Sequence, residues 1–157
     1  MPRYTMYKNN AVDRTLNSEF MTAPLKEAQQ AEFEILKDII TEVAVKKASI
    51  KILDIGVGDG RIPRLLNRDR LWGKIELFIG LDNSQLEIEK AKLAVKDKKV
   101  EIIYLDATRL VDPPNSISRY TYDLIICTYF TPCNFKPPQI KLTIKNGQIS
   151  PYPKSCL

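Results

Sequence analysis

A chain of 157 residues with 44% hydrophobic and 27% charged side chains has the composition of one globular domain with a true core. It holds no histidine, which excludes histidine-based triads, and its three cysteines form no C-x-x-C pair, so no metal is expected and a reducing compartment fits. The net charge of +5 divides into 0, +1 and +4 over residues 1–50, 51–112 and 113–157, a balanced body that disfavours a nucleic-acid partner, and no apolar run approaches the roughly 20 residues of a membrane span or the core of a signal peptide, so no membrane and a cytoplasmic location are expected.

Residues 1–20 are polar with scattered aromatics, Tyr4, Tyr7 and Phe20, and have no sustained period; they read as irregular. Thr22 followed by Pro24 opens a helix predicted over about residues 25–46. Its apolar stripe is expected at Ala28, Ala31, Ile35, Leu36, Ile39, Ile40 and Val43.

Residues 51–60, KILDIGVGDG, carry the strongest signal. An apolar run ends in Asp54 and passes into Gly56, Gly58 and Gly60, which predicts a buried strand, a glycine-rich turn and a helix over 61–68. Glycines at alternate positions permit positive φ and close approach of a ligand to the backbone, and the next helix presents unpaired N–H groups. The spacing is D-x-G-x-G-x-G, with Arg61 where the third glycine of a dinucleotide-binding G-x-G-x-x-G would stand. The cationic row Arg61, Arg64 and Arg68 reads as a solvated face, with Arg61 beside the turn.

Two further strands are predicted over 75–82 and 100–107, ending in or beside Asp82 and Asp106. Asp82 lies 22 residues beyond Gly60, close to the roughly 20 expected for an acid that accepts from a ribose. Ser84-x-x-Glu87 is a capping box for a helix running to about residue 96. A fourth strand is predicted over 122–128, after the Pro113-Pro114 loop. Residues 140–149 alternate and contain Asn146-Gly147, the signature of a short β-hairpin inside a proline-rich tail over 133–157. Three successive strands ending in an acid place Asp54, Asp82 and Asp106 on one edge of a parallel sheet, where open α/β folds bind ligands.

The turn from Asp54 to Gly60 resembles the first motif of the Rossmann-like, class I S-adenosylmethionine-dependent methyltransferases, and the resemblance extends over about residues 25–132. It implies an α/β fold, a three-layer Rossmann-like sandwich with a mostly parallel sheet, with residues 1–24 as an arm or lid and residues 25–132 as the cofactor-binding core. It implies S-adenosyl-L-methionine as cofactor, with Asp54, Gly56, Gly58 and Gly60 at the methionine part, Asp82 and Asn83 at the ribose, and Asp106 and Ala107 at the adenine. Thr128 and Tyr129 would lie near the methyl group, and no residue is assigned as a catalytic base.

The fourth motif departs from the family: amino-methylating members carry Asn or Asp before Pro-Pro-aromatic, and here the order is Thr131-Pro132-Cys133-Asn134-Phe135. The family's fifth parallel strand and closing antiparallel pair are not read in the sequence, so the fold is expected to be C-terminally incomplete. The exposed sheet edge this leaves invites self-association. The expectation is therefore a methyltransferase of unknown methyl acceptor, truncated and weakly active. The alternatives are a non-catalytic nucleotide-binding or scaffolding domain and, with Arg61 against it, an NAD-binding oxidoreductase fragment.

Overall fold

The computed structural model describes residues 23–107, 110, 117, 120–128, 142–145 and 148–151. The arm with Tyr7, Tyr129 beside the fourth strand, and the Thr131–Phe135 stretch lie outside the described residues. The chain forms two compact units, Met1–Ile39 and Ile40–Leu157.

Helix α1, Ala23–Lys46, runs from the first unit into the second. Its buried stripe is Phe33, Leu36 and Ile40, at intervals of three and four. Leu36 and Ile40 belong to the expected stripe, but the stripe is narrower than expected: Ile35 is 62% and Ile39 38% exposed, and Ala28 and Ala31 are exposed as well. The expectation left out Phe33, whose large ring sets the buried side, because branched residues occur on both sides of the stripe.

The second unit is built on four parallel strands in the order β3-β2-β1-β4. Strand β1, Ile50–Ile55, and strand β2, Ile75–Asp82, are central, and both are nearly continuous runs of buried residues, as a strand covered on two faces requires. Helix α2, Arg61–Arg68, follows β1, with Pro63 among the first N–H positions that have no intrahelical acceptor to lose. Arg70, at φ 57, turns the chain into a single 3₁₀ turn, Leu71–Lys74. There Trp72 is buried with its ring edge-on to Phe78 of β2, centroids 5.9 Å apart.

Helix α3, Gln85–Ala94, leads to strand β3, Val100–Tyr104, which is shorter than the predicted 100–107 and leaves Asp106 and Ala107 beyond its end. Strand β4, Leu124–Ile126, occupies the middle of the predicted 122–128. The strand order, with the chain crossing over from β1 to β2 and β3 and then returning to the other side of β1, is that of a Rossmann-like α/β fold. Strands β5, Leu142–Lys145, and β6, Gln148–Pro151, pair antiparallel as a separate two-stranded ribbon, with Lys145 opposite Gln148.

One core cluster joins Leu53 and Ile55 of β1 to Ile79 and Leu81 of β2 and to Ala107, Leu110, Ile117 and Tyr122. The phenol of Tyr122 donates to the Ile117 carbonyl at 3.0 Å, and burial, then the neighbouring Tyr120 and Glu101, raises its pKa. Among the described residues no helix is long and apolar enough to cross a membrane.

Candidate functional site

The C-terminal ends of four parallel strands form one rim, and the register shows how its acids sit. Asp54 pairs with Gly80 of β2 and with Ile126 of β4, and Asp82 pairs with Tyr104 of β3. Side chains at paired positions leave the same face and repeat every second residue, so Asp54, Gly80 and Asp82 project from one face. Asp82 is the last residue of its strand. Asp54 lies one residue inside the end of β1 and is 1% exposed, whereas Asp106 stands exposed two residues past the end of β3.

The glycine turn leaves β1 at this rim. Gly56, Gly58 and Gly60 have φ of 83°, 55° and 86°, all in the left-handed region where a Cβ is strained, which explains the alternate spacing. Gly60 is the cap of α2, and a Cβ on it would lie 3.2 Å from the Ala91 Cα, so α3 also packs against the turn at closest approach. A Cβ built on Gly58 would meet nothing within 4 Å, so the middle of the turn faces open space. There its backbone is accessible to a ligand.

Asp82 couples the turn to the start of α3. Its Oδ2 accepts from the Gly58 N–H at 3.0 Å and its Oδ1 from the Ser84 N–H at 2.8 Å. Ser84 in turn caps α3, its hydroxyl accepting from the Glu87 N–H at 3.4 Å. The Ser84 N–H donates to Asp82, and Lys90 donates to the Glu87 carboxylate at 3.0 Å. Burial raises the pKa of Asp82, and the N–H groups of Ser84, Gly58 and Asn83 act against that rise. A carboxylate offers about four acceptor positions, so these three N–H groups leave room for one further donor.

The other predicted residues fall as follows. Asn83 is exposed directly after Asp82, and Ala107 is 9% exposed within the core cluster. Thr128 follows β4 and is half-buried. Cys127 beside it is exposed to solvent on one side only, and partial desolvation of its thiol by the surrounding protein, followed by the charge of Asp54, raises its pKa, so the thiolate is disfavoured at this rim. Two arginines of the row are engaged locally: Arg64 binds Asp59 at 2.7 Å and Arg68 binds Asp69 at 2.7 Å. Among the described residues no group of three His, Cys, Asp or Glu could hold a metal ion.

Three participants in the turn were not singled out from the sequence: Val57, Gly80 and the Leu81 carbonyl. The Leu81 oxygen accepts from both the Gly56 and Val57 N–H groups, at 2.7 and 2.8 Å. Gly80 carried a legible signal, since a glycine inside an apolar strand marks close approach of another segment.

The strand order and the glycine turn at the end of its first strand define a Rossmann-like α/β protein. No protein-family profile matches the chain, and no curated protein matches it. Solved structures of S-adenosylmethionine-dependent methyltransferases are similar to it over part of their length. One from Mesorhizobium loti is 24% identical over 50% of this chain and 32% of that chain, with a TM-score of 0.39. One from Thiobacillus denitrificans, in complex with S-adenosyl-L-homocysteine, is 24% identical over 57% and 35%, with a TM-score of 0.41. A TehB-like one from Corynebacterium glutamicum is 18% identical over 75% and 62%, with a TM-score of 0.46. The chain thus spans about a third of the first two enzymes.

Proposed function

We propose that the chain is the cofactor-binding core of an S-adenosylmethionine-dependent methyltransferase. The observation that carries this reading is the glycine turn itself: three left-handed glycines at the end of a central strand, open to solvent at Gly58, with a buried carboxylate bonded to the backbone of that same glycine. In this reading the backbone of Gly56, Gly58 and Gly60 takes the methionine part and Asp54 its amino group. The remaining acceptor position of Asp82 takes a ribose hydroxyl beside Asn83, and Asp106 with Ala107 borders the adenine. Thr128 lies toward the methyl group. When bound, the cofactor supplies a methyl carbon on a sulfonium sulfur, open to in-line displacement, a reaction that depends on positioning and exclusion of water. The chain's part is orientation, which a rim free of histidine can perform.

The acceptor is not specified by these residues, and the proposal includes weak turnover, because Thr131-Pro132-Cys133-Asn134-Phe135 departs from the family's fourth motif. That departure also favours a second reading, a nucleotide-binding domain without transfer activity. Titration calorimetry of the 157-residue chain with S-adenosylhomocysteine, S-adenosylmethionine and NAD tests both. Binding of the first two but not NAD is expected, with loss of the signal in Asp82→Ala. Binding of NAD alone, or of none, overturns the proposal. Methyl transfer to small-molecule or protein acceptors then separates enzyme from binding domain.

A further inference from the structure

The tip of β2 and the glycine turn meet residue against residue. Gly80, Leu81 and Asp82 face Val57, the Gly56 and Val57 N–H groups, and the Gly58 N–H respectively. Leu81 and Asp82 act through hydrogen bonds. Gly80 acts by having no side chain: a Cβ there would stand 2.7 Å from Val57 Cγ2, 2.9 Å from Val57 Cβ and 3.0 Å from Ile102 Cδ1. The Ile102 methyl ends a flexible side chain and can move, but Val57 is 4% exposed and fixed between two left-handed glycines. It cannot yield without taking the turn with it.

We propose that Gly80 is a positioning residue for the cofactor turn: the space above it seats Val57, and this seat holds Gly56, Val57 and Gly58 against the tip of β2 before any ligand arrives. Gly80 is register partner to Asp54, so the seat lies on the face from which both rim acids project. The part of this inference that concerns a cofactor rests on the methyltransferase reading; the seating of the turn does not. An added methyl pushes Val57 off β2, lengthens the two bonds to the Leu81 oxygen and withdraws Gly58 from Asp82. Overpacking of this kind is not relieved by a rotamer change, because the clash includes the Cβ itself.

The test is amide hydrogen exchange by NMR on the ligand-free full chain. In Gly80→Ala, protection of the Gly56, Val57 and Gly58 amides is expected to fall by about tenfold or more relative to the Phe78 and Asp123 amides, which bond to Lys99 and Lys51 at the other end of the sheet. In a Val57→Gly background, where both clashing atoms are gone, the same Gly80→Ala substitution is expected to change none of these amides. Unaltered protection of the turn in Gly80→Ala, an equal loss across the sheet, or an equal loss with and without Val57 each overturns the proposal. Should Gly80→Ala fail to fold, the comparison of Val57→Gly with Val57→Gly/Gly80→Ala still decides, since an unfolded double variant beside a folded Val57→Gly overturns it. Calorimetry with S-adenosylhomocysteine is run in parallel on the wild-type chain and on Gly80→Ala, with affinity expected to fall by about tenfold. A wild-type chain that binds nothing overturns the methyltransferase reading and leaves the exchange result to judge the seat.

Discussion

The two ends of the same parallel sheet are held by different physics. At the C-terminal rim a buried aspartate, Asp82, bonds to backbone N–H groups of two other segments, and the turn is fastened by a carbonyl and by a glycine's missing side chain. At the N-terminal rim the fastenings are ion pairs. Lys47 binds Asp123, Lys51 Nζ lies 3.2 Å from Glu76, and the Ser49 hydroxyl donates to Glu76 at 3.2 Å. Asp123 also accepts from the Lys51 N–H at 2.8 Å, which aligns β4 beside β1. One residue type serves both ends with opposite electrostatics: burial pushes Asp82 up, while at Asp123 burial is outweighed by Lys47 and by the N–H and charge of Lys51. Backbone-directed bonds tolerate little displacement, whereas lysine stems can follow a shift. The side-chain fastenings of the glycine-turn end are thus directed wholly at backbone N–H groups, while those of the opposite end combine one such bond with ion pairs.

Substitutions can break this contrast, and the largest effect is expected at Gly60. Gly60→Val demands a left-handed β-branched residue and drives a side chain into Ala91, so a loss of about 3 kcal/mol is expected in urea unfolding. A loss below about 1 kcal/mol would mean that the rim is as yielding as the opposite end. Asp82→Ala leaves the Gly58 and Ser84 N–H groups without their buried acceptor, and about 2 kcal/mol is expected, together with loss of S-adenosylhomocysteine binding.

Asp123→Asn keeps an oxygen for the Lys51 N–H but removes the charge that Lys47 pairs with, and because that lysine is more than half exposed, a cost under about 1 kcal/mol is expected. Its pH dependence sharpens the comparison. The folded pKa of Asp123 lies below the ordinary 3.8, so its contribution is complete above that value and is lost as pH falls through the folded value. Acid unfolding followed by circular dichroism should show a shallower slope below about pH 4 in Asp123→Asn. Arg64→Ala, which removes an exposed ion pair with Asp59, is expected to shift stability by less than about 0.5 kcal/mol in the same assay.

Local signals carried much of the fold. The apolar runs of β1 and β2, the helix after the glycine turn and the Ser84 cap stand in the structure where period and capping chemistry put them. The rim acids were legible because a parallel sheet sends all its strand ends the same way. What was misread depended on partners distant in sequence. The α1 stripe rightly held Leu36 and Ile40 but also took in Ile35 and Ile39 and left out Phe33, since hydrophobicity does not say which of two neighbouring branched rows is buried. The third strand was drawn too long, because its apolar run continues into Leu105, whose N–H makes the last bond to β2 at the Asp82 carbonyl, and Ala107, which packs in the core beyond the strand.

Left-handed backbone was legible in the glycine turn, because glycine adopts φ near +55° to +86° at least cost and three of them stand at alternate positions after a buried strand; the left-handed Arg70 carried no such signal. The tertiary structure decided what those glycines rest on. That Val57 sits over Gly80, and that Asp82 bonds to Gly58 across 24 residues, follow from the register of two parallel strands. Register is set by packing over both faces of the sheet, a property of the assembled core that no local stretch contains.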